Sequence, residues 1–284
     1  PEGEEQTSAP QLAPQSAAIA VQALSGSGKA DDPYLITSAE DFAAITWQNS
    51  SGYFKLTDNI TVTKPCDATF KGTFDGDGYT VTLQLDVTSG NAGLFATTGN
   101  GAVIKNLTVD ADVTSNVAST SYGTAGLVGV AGYPLVLENC GVTGIIKNTS
   151  TSSNSGVYVG GLVGYLQDNL TLKNCFVAAN ISSVSSQYNS VAGGMIGKMS
   201  SAYSVTAENC YATGDVTAKN YAGGFIGYLN SSSSKPHTYT NCYTSGAVTG
   251  GSGKACGFAY VYDYTNTGYT FTNCYYNSAN AKGC

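Results

Sequence analysis

The side chains that could do chemistry here are few and periodic. Cys140, Cys175, Cys210, Cys242 and Cys274 each follow an asparagine, Asn139, Asn174, Asn209, Asn241 and Asn273, at steps of 35, 35, 32 and 32 residues. Thiolates ligate metals and act as nucleophiles. No Cys-x-x-Cys occurs, however, and His237 is the only histidine, so no metal site, no cofactor and no Cys–His or Ser–His catalysis is expected. A polysaccharide lyase would need a Lys base beside calcium-binding carboxylates, and a hydrolase a paired acid and base. Asp168, Lys173, Glu138, Glu208 and Asp215 are the candidates. The spacing puts Glu138, Lys173 and Glu208 at one site of successive units, where a ladder of alternating charge is the simpler account, so no catalytic residue is assigned. Asp75-Gly76-Asp77 has the start of a calcium loop without its remaining ligands, and is read as a turn. Tyr211, Tyr243 and Tyr275 follow the Cys in three successive units. If the Cys points inward, these rings stack outward and could lie against sugar rings or a protein partner, although Tyr also simply suits the outer face of a strand.

Composition narrows the partners. Of 284 residues only 11% are charged, the net charge is −7, and all 12 basic residues are Lys. A chain without guanidinium groups or a basic face is poorly made for nucleic acid. No apolar run approaches the roughly 18 residues that span a bilayer. Residues 1–25, beginning Pro1-Glu2-Gly3-Glu4-Glu5, have neither a basic start nor an apolar stretch and are expected to form a disordered tether.

The elements that must position these residues follow from a second periodic marker. Gly126-Leu127-Val128-Gly129, Gly161-Leu162-Val163-Gly164, Gly194-Met195-Ile196-Gly197 and Gly224-Phe225-Ile226-Gly227 recur in fixed order with the Asn-Cys pairs. Each unit holds three short apolar runs, as in 160–166, 170–177 and 179–184, too short for helices and separated by Asn, Ser, Asp and Gly. The expected fold is an all-β, right-handed parallel β-helix with three strands per turn, of roughly seven turns at about 4.8 Å each. Strict alternation across 172–177 would turn Cys175 outward. One residue must break it, and Asn174 suits a left-handed corner. The five Asn should then form a hydrogen-bonded ladder satisfying buried corner backbone, and the five Cys an inward column of reduced thiols. Cys66, Cys256 and Cys284 lie outside the column, and Cys256 with Cys284 is the one pairing considered. Ser38 as N-cap, followed by Glu40, Asp41 and an apolar stretch through Trp47, predicts a capping helix over 38–48. His237 falls in the 231–239 insertion, whose Ser run and Pro236 read as a surface loop. One β-helix domain is expected over 26–284, with cap and first strands at 26–68, irregular first turns at 69–124 and repeats at 125–284.

The Gly-Leu-apolar-Gly elements, Asn209-Cys210-Tyr211-Ala212-Thr213-Gly214-Asp215-Val216, and the opening segments Asp32–Ile36, Tyr53–Thr57 and Phe70–Gly76 resemble the GLUG-repeat proteins of bacterial cell surfaces over roughly 26–278. Leu107 and Gly141 depart from the pattern where Cys and Tyr are expected. The resemblance implies an extracellular or surface-displayed β-helical module with no catalytic residues, found in adhesin-like proteins and in non-catalytic parts of large surface peptidases. The expected function is binding or adhesion to a glycan or host protein by a monomer, with a passive spacer or a polysaccharide-degrading enzyme as alternatives.

Overall fold

A computed structural model describes residues 24–151, 155–184, 190–230, 235–262 and 268–279. The pairings among its named strands are parallel, in sheets of 18, five and six strands. One unit shows how the sequence makes a turn. Strands Val157–Gly160, Val163–Leu166, Leu170–Lys173, Phe176–Val177 and Asn180–Ser183 follow one another around the coil. The next unit stacks on it in register, Val163 on Ile196 and Leu170 on Val205. The chain is therefore a parallel β-helix with three sheets. The six-stranded sheet, from Phe95–Thr98 to Ala259–Val261, sets the coil at about six turns rather than seven. The earlier strands Tyr34–Ile36, Tyr53–Leu56 and Thr73–Asp75 enter the large sheet only.

The run 160–166, expected as one strand, is two strands in different sheets, and the Gly-apolar-apolar-Gly element is the corner between them. Space, and not φ, demands glycine there. A Cβ on Gly161 would run into the Gly194 carbonyl of the next turn, one on Gly194 into the Gly224 carbonyl, and one on Gly224 into the Gly257 carbonyl. Between the corners, inward apolar side chains stack in columns such as Leu135–Leu170–Val205 and Leu137–Leu172–Ala207–Tyr239, all buried.

The N-terminal end is closed by an aromatic cluster, Phe42, Phe54, Phe70, Phe74 and Phe95, with ring centroids 4.7 to 6.4 Å apart. The capping helix is there but spans only Ala39–Ala43, with Ser38 as N-cap accepting from the Asp41 amide at 3.1 Å. It stops early because the Asn49 side chain competes for its end, donating to the Ala44 carbonyl and accepting from the Thr46 amide. Trp47 accordingly lies outside the helix and is 79% exposed. The expected tether at 1–25 falls outside the described residues except for its end. There Leu24 packs against the core and the Ser25 carbonyl accepts from the Leu35 amide, so folded structure reaches back past residue 26.

Candidate functional site: two outward aromatic rows

The Asn-Cys pair works as a hinge of parity. Asn139, Asn174, Asn209, Asn241 and Asn273 all have φ between 52° and 55°, the left-handed region that Asn tolerates best among residues with a side chain. That single reversal turns the next residue inward. Cys140, Cys175, Cys210 and Cys242 are buried, and Cys274, on the last described turn, is partly so; all five are free thiols. Hydrogen bonding to Cys175 and burial hold the Cys140 thiol well above its ordinary pKa, and contacts with Cys175 and Cys242 together with burial do the same for Cys210. Leu107 occupies the column one turn below Cys140 and is equally buried, so the departure there keeps an apolar filler. Outside the column, burial pushes the Cys66 thiol up to about 12. Cys256 is disulfide-bonded, while Cys284, its expected partner, lies outside the described residues.

The Asn ladder forms, each amide donating to the one below: Asn273 to Asn241, Asn241 to Asn209, Asn209 to Asn174 and Asn174 to Asn139, at 3.0 to 3.1 Å. It extends below the expected set, through Asn106, also at positive φ, to the Asp75 carboxylate. These five Asn are exposed, so the ladder zips the outside of a corner and does not serve buried backbone, as had been expected. Asp75 also accepts from the Asp77 amide and pairs with Lys105 at 3.2 Å. Burial raises its pKa, and these hydrogen bonds with the Lys105 charge outweigh that and hold it below the ordinary value. With its oxygens so occupied, and Asp77 and Gly78 at positive φ, 75–78 is a turn.

Beyond the Asn corner, Tyr211, Tyr243 and Tyr275 do share one outward column, continued downward by Phe176. The Phe176 and Tyr211 rings stack 5.5 Å apart, and those of Tyr211 and Tyr243 at 5.1 Å within 6° of parallel. Exposure rises along the row to 67% at Tyr275. Gly141 begins it because the Phe176 ring lies across that position, where a Cβ would collide with it. Alongside runs the charge ladder, longer than the sequence reading had it: Lys55, Asp75, Lys105, Glu138, Lys173 and Glu208 share one register. Asp168 and Asp215 stand apart from it: Asp168 accepts from the adjoining Asn169 amide, and Asp215 from the Ala247 amide of the next unit.

A second aromatic row was not anticipated. On the outer side of the Gly corner, Tyr158 and Tyr165, from the two sheets that meet there, pack with ring centroids 5.0 Å apart and planes tilted by 54°. One turn on, Lys198 takes the Tyr165 position and places its Nζ 4.3 Å from the Tyr158 ring centroid and 2.9 Å from its hydroxyl. Tyr228 follows in register, with Tyr221 at 4.9 Å, and then Tyr260 and Tyr262. Tyr158 is buried, and burial raises its pKa to about 12.

His237 is not in a loop. It opens the strand His237–Thr240, is buried, accepts from the Val205 amide through Nδ1 and stacks on Tyr269. Pro236 stops at the strand's edge, and the inward column continues through the imidazole. Burial draws its pKa down to about 4. The unfolded chain, with an ordinary imidazole near 6.5, binds more protons than the folded one between those values. The neutral imidazole therefore contributes fully above about pH 6.5, and that contribution is lost as pH falls toward 4, a change of roughly 3 kcal/mol. Urea midpoints measured between about pH 7 and pH 4 should fall steeply for the parent and less for His237→Leu.

The fold defines a parallel β-solenoid. No family model matches the chain. A stretch is 32% identical over 125 residues to Halomucin of Haloquadratum walsbyi, covering 35% of this chain and 1% of Halomucin's length. In structure the chain is similar to a Bacteroides ovatus protein provisionally designated an immunoglobulin A1 protease, with a TM-score of 0.63, 20% identity, and coverage of 88% of this chain and 76% of that one. At that identity the likeness concerns the fold.

Proposed function

We propose that the chain is a non-catalytic binding or adhesion module of a secreted or surface-displayed protein of the GLUG-repeat kind, presenting its strand faces to an extracellular glycan or protein. The observation that carries this reading is the outward stack Phe176, Tyr211, Tyr243 and Tyr275. Inward aromatics stabilise a coil, but this row faces outward, Phe176 and Tyr211 half-buried and Tyr243 and Tyr275 exposed, and such a row suits the faces of sugars or an extended partner. The spread of the candidate acids and bases, Glu138, Lys173 and Glu208 one to a turn and Asp168 and Asp215 apart from them, supports a non-catalytic role: an acid–base pair must converge on one bond. The likeness to Halomucin and to a protein designated an immunoglobulin A1 protease supports placement outside the cell.

The test is an array of glycans and extracellular host proteins probed with the parent and with Tyr211→Ala/Tyr243→Ala/Tyr275→Ala. Binding by the parent is expected to drop at least about tenfold in the variant, the loss of roughly 1.4 kcal/mol. Full retention would remove this row from the binding face. Silence of the parent on the whole array would remove the function.

A further inference from the structure

The crease beside the Gly corner has a chemistry of its own. Beneath it the backbone is closed: Gly160, Gly193, Gly223, Gly164, Gly197 and Gly227 are all buried, and a Cβ on Gly193 would strike the Ile196 carbonyl and the Gly227 amide one turn on. Over it lie the Tyr158, Tyr165, Tyr221, Tyr228, Tyr260 and Tyr262 rings, Tyr158 buried and the others at least partly exposed, with Val191 and Lys198 in register between the Tyr158–Tyr165 and Tyr221–Tyr228 pairs. Two ammonium groups stand among them. Lys198 lies 4.3 Å from the Tyr158 ring centroid and 5.7 Å from that of Tyr228, and Lys254 lies 4.6 Å from that of Tyr221. Both are only partly exposed, and among the described residues neither is in an ion pair, in a chain whose net charge is −7. Lys254 donates to the Asn220 side chain at 2.9 Å and more distantly to the Tyr221 hydroxyl. Lys198 donates only to the Tyr158 hydroxyl, which leaves two of its three N–H donors without a partner among those residues.

We infer that the crease is a binding surface for an anionic polysaccharide, the exposed parts of the Tyr165, Tyr221, Tyr228, Tyr260 and Tyr262 rings receiving sugar faces and the Lys198 and Lys254 ammoniums receiving the acidic groups. A neutral glycan would leave two half-desolvated cations uncompensated, whereas a carboxylate or sulfate on the sugar supplies the acceptors they lack. This rests on the chain being a binding scaffold but not on the Tyr211 row, which belongs to another sheet.

Binding is measured by calorimetry with polygalacturonate, dextran sulfate and neutral dextran, at low and high salt. The probes are the intact chain, Lys198→Gln/Lys254→Gln, the single Lys254→Gln, and the Tyr211→Ala/Tyr243→Ala/Tyr275→Ala variant, each checked by thermal melting. The expected result is salt-sensitive binding of polygalacturonate or dextran sulfate over neutral dextran, weakened at least about tenfold in the double Lys variant and in part by Lys254→Gln, and unchanged in the triple Tyr variant. Preference for polygalacturonate over dextran sulfate, or the reverse, identifies the acidic group. Absence of anionic binding, equal binding of neutral dextran, or affinity unchanged in melting-competent Lys variants would overturn this binding surface. Loss in the triple Tyr variant alone would overturn it too while leaving the first binding face standing.

Discussion

Replacing Gly194 by valine is expected to destabilise the chain by about 3 kcal/mol or more, the upper range for overpacking, because the obstacle is backbone. A Cβ there points at the Gly224 carbonyl of the next turn and comes within 2.9 Å of the Ala212 Cβ, and neither can turn aside as a flexible side chain would. The Gly194 amide also donates to the Gly223 carbonyl at 3.1 Å, so moving the corner outward breaks the contact that joins the turns. Turns of a solenoid touch only their neighbours, so damage should spread outward from this one. Gly253→Ala is the control: that glycine has φ of 70° and open space around it, and the substitution should cost only about 1 kcal/mol of local strain. Urea unfolding followed by far-ultraviolet circular dichroism separates the two. Equal effects would mean that the corners are not in contact as described.

Asn209→Ala should cost about 2 to 4 kcal/mol, although the residue is exposed. One part is conformational, since φ is 55° and an alanine pays about 1 kcal/mol there. The rest is the loss of two amide bonds, to Asn174 below and from Asn241 above, each worth about 0.5 to 1.5 kcal/mol. Asn209→Gly removes the same bonds but tolerates the left-handed corner, so it should be the milder of the two by several tenths to about 1 kcal/mol. If the alanine and glycine variants unfold alike, the corner is not left-handed and the inward turn of Cys210 needs another cause.

The coil itself was legible because its constraints recur in residue type. Only Asn and Gly serve at the two corners, so Asn139 to Asn273 and Gly126 to Gly227 mark the turns directly. Asn106 escaped the ladder because Leu107 stands where the other units carry Cys, and Asp75 because it sits one position before the corner, in register with Lys105, although its carboxylate accepts the same kind of hydrogen bond. The Tyr158–Tyr165 crease was hidden for a geometrical reason. Seven residues apart, the two rings meet only because the chain turns at Gly161-Leu162, a corner that reads as the middle of a strand. His237 was misplaced by its neighbours, since Pro236 and the serines are loop residues and the imidazole is an unusual core side chain. Trp47 was drawn into the helix by its hydrophobicity, against the Asn49 side chain that ends it.

The central claim, that this solenoid holds polymers without cutting them, is tested most directly by incubating the chain with a panel of polysaccharides and reading two signals from each sample. Electrophoretic retardation in a gel containing the polymer reports binding, and the appearance of new reducing ends reports cleavage. Retardation by at least one polymer with no new reducing ends is the predicted result. New reducing ends that grow with protein concentration would contradict it and return the dispersed carboxylates to the search for an active site.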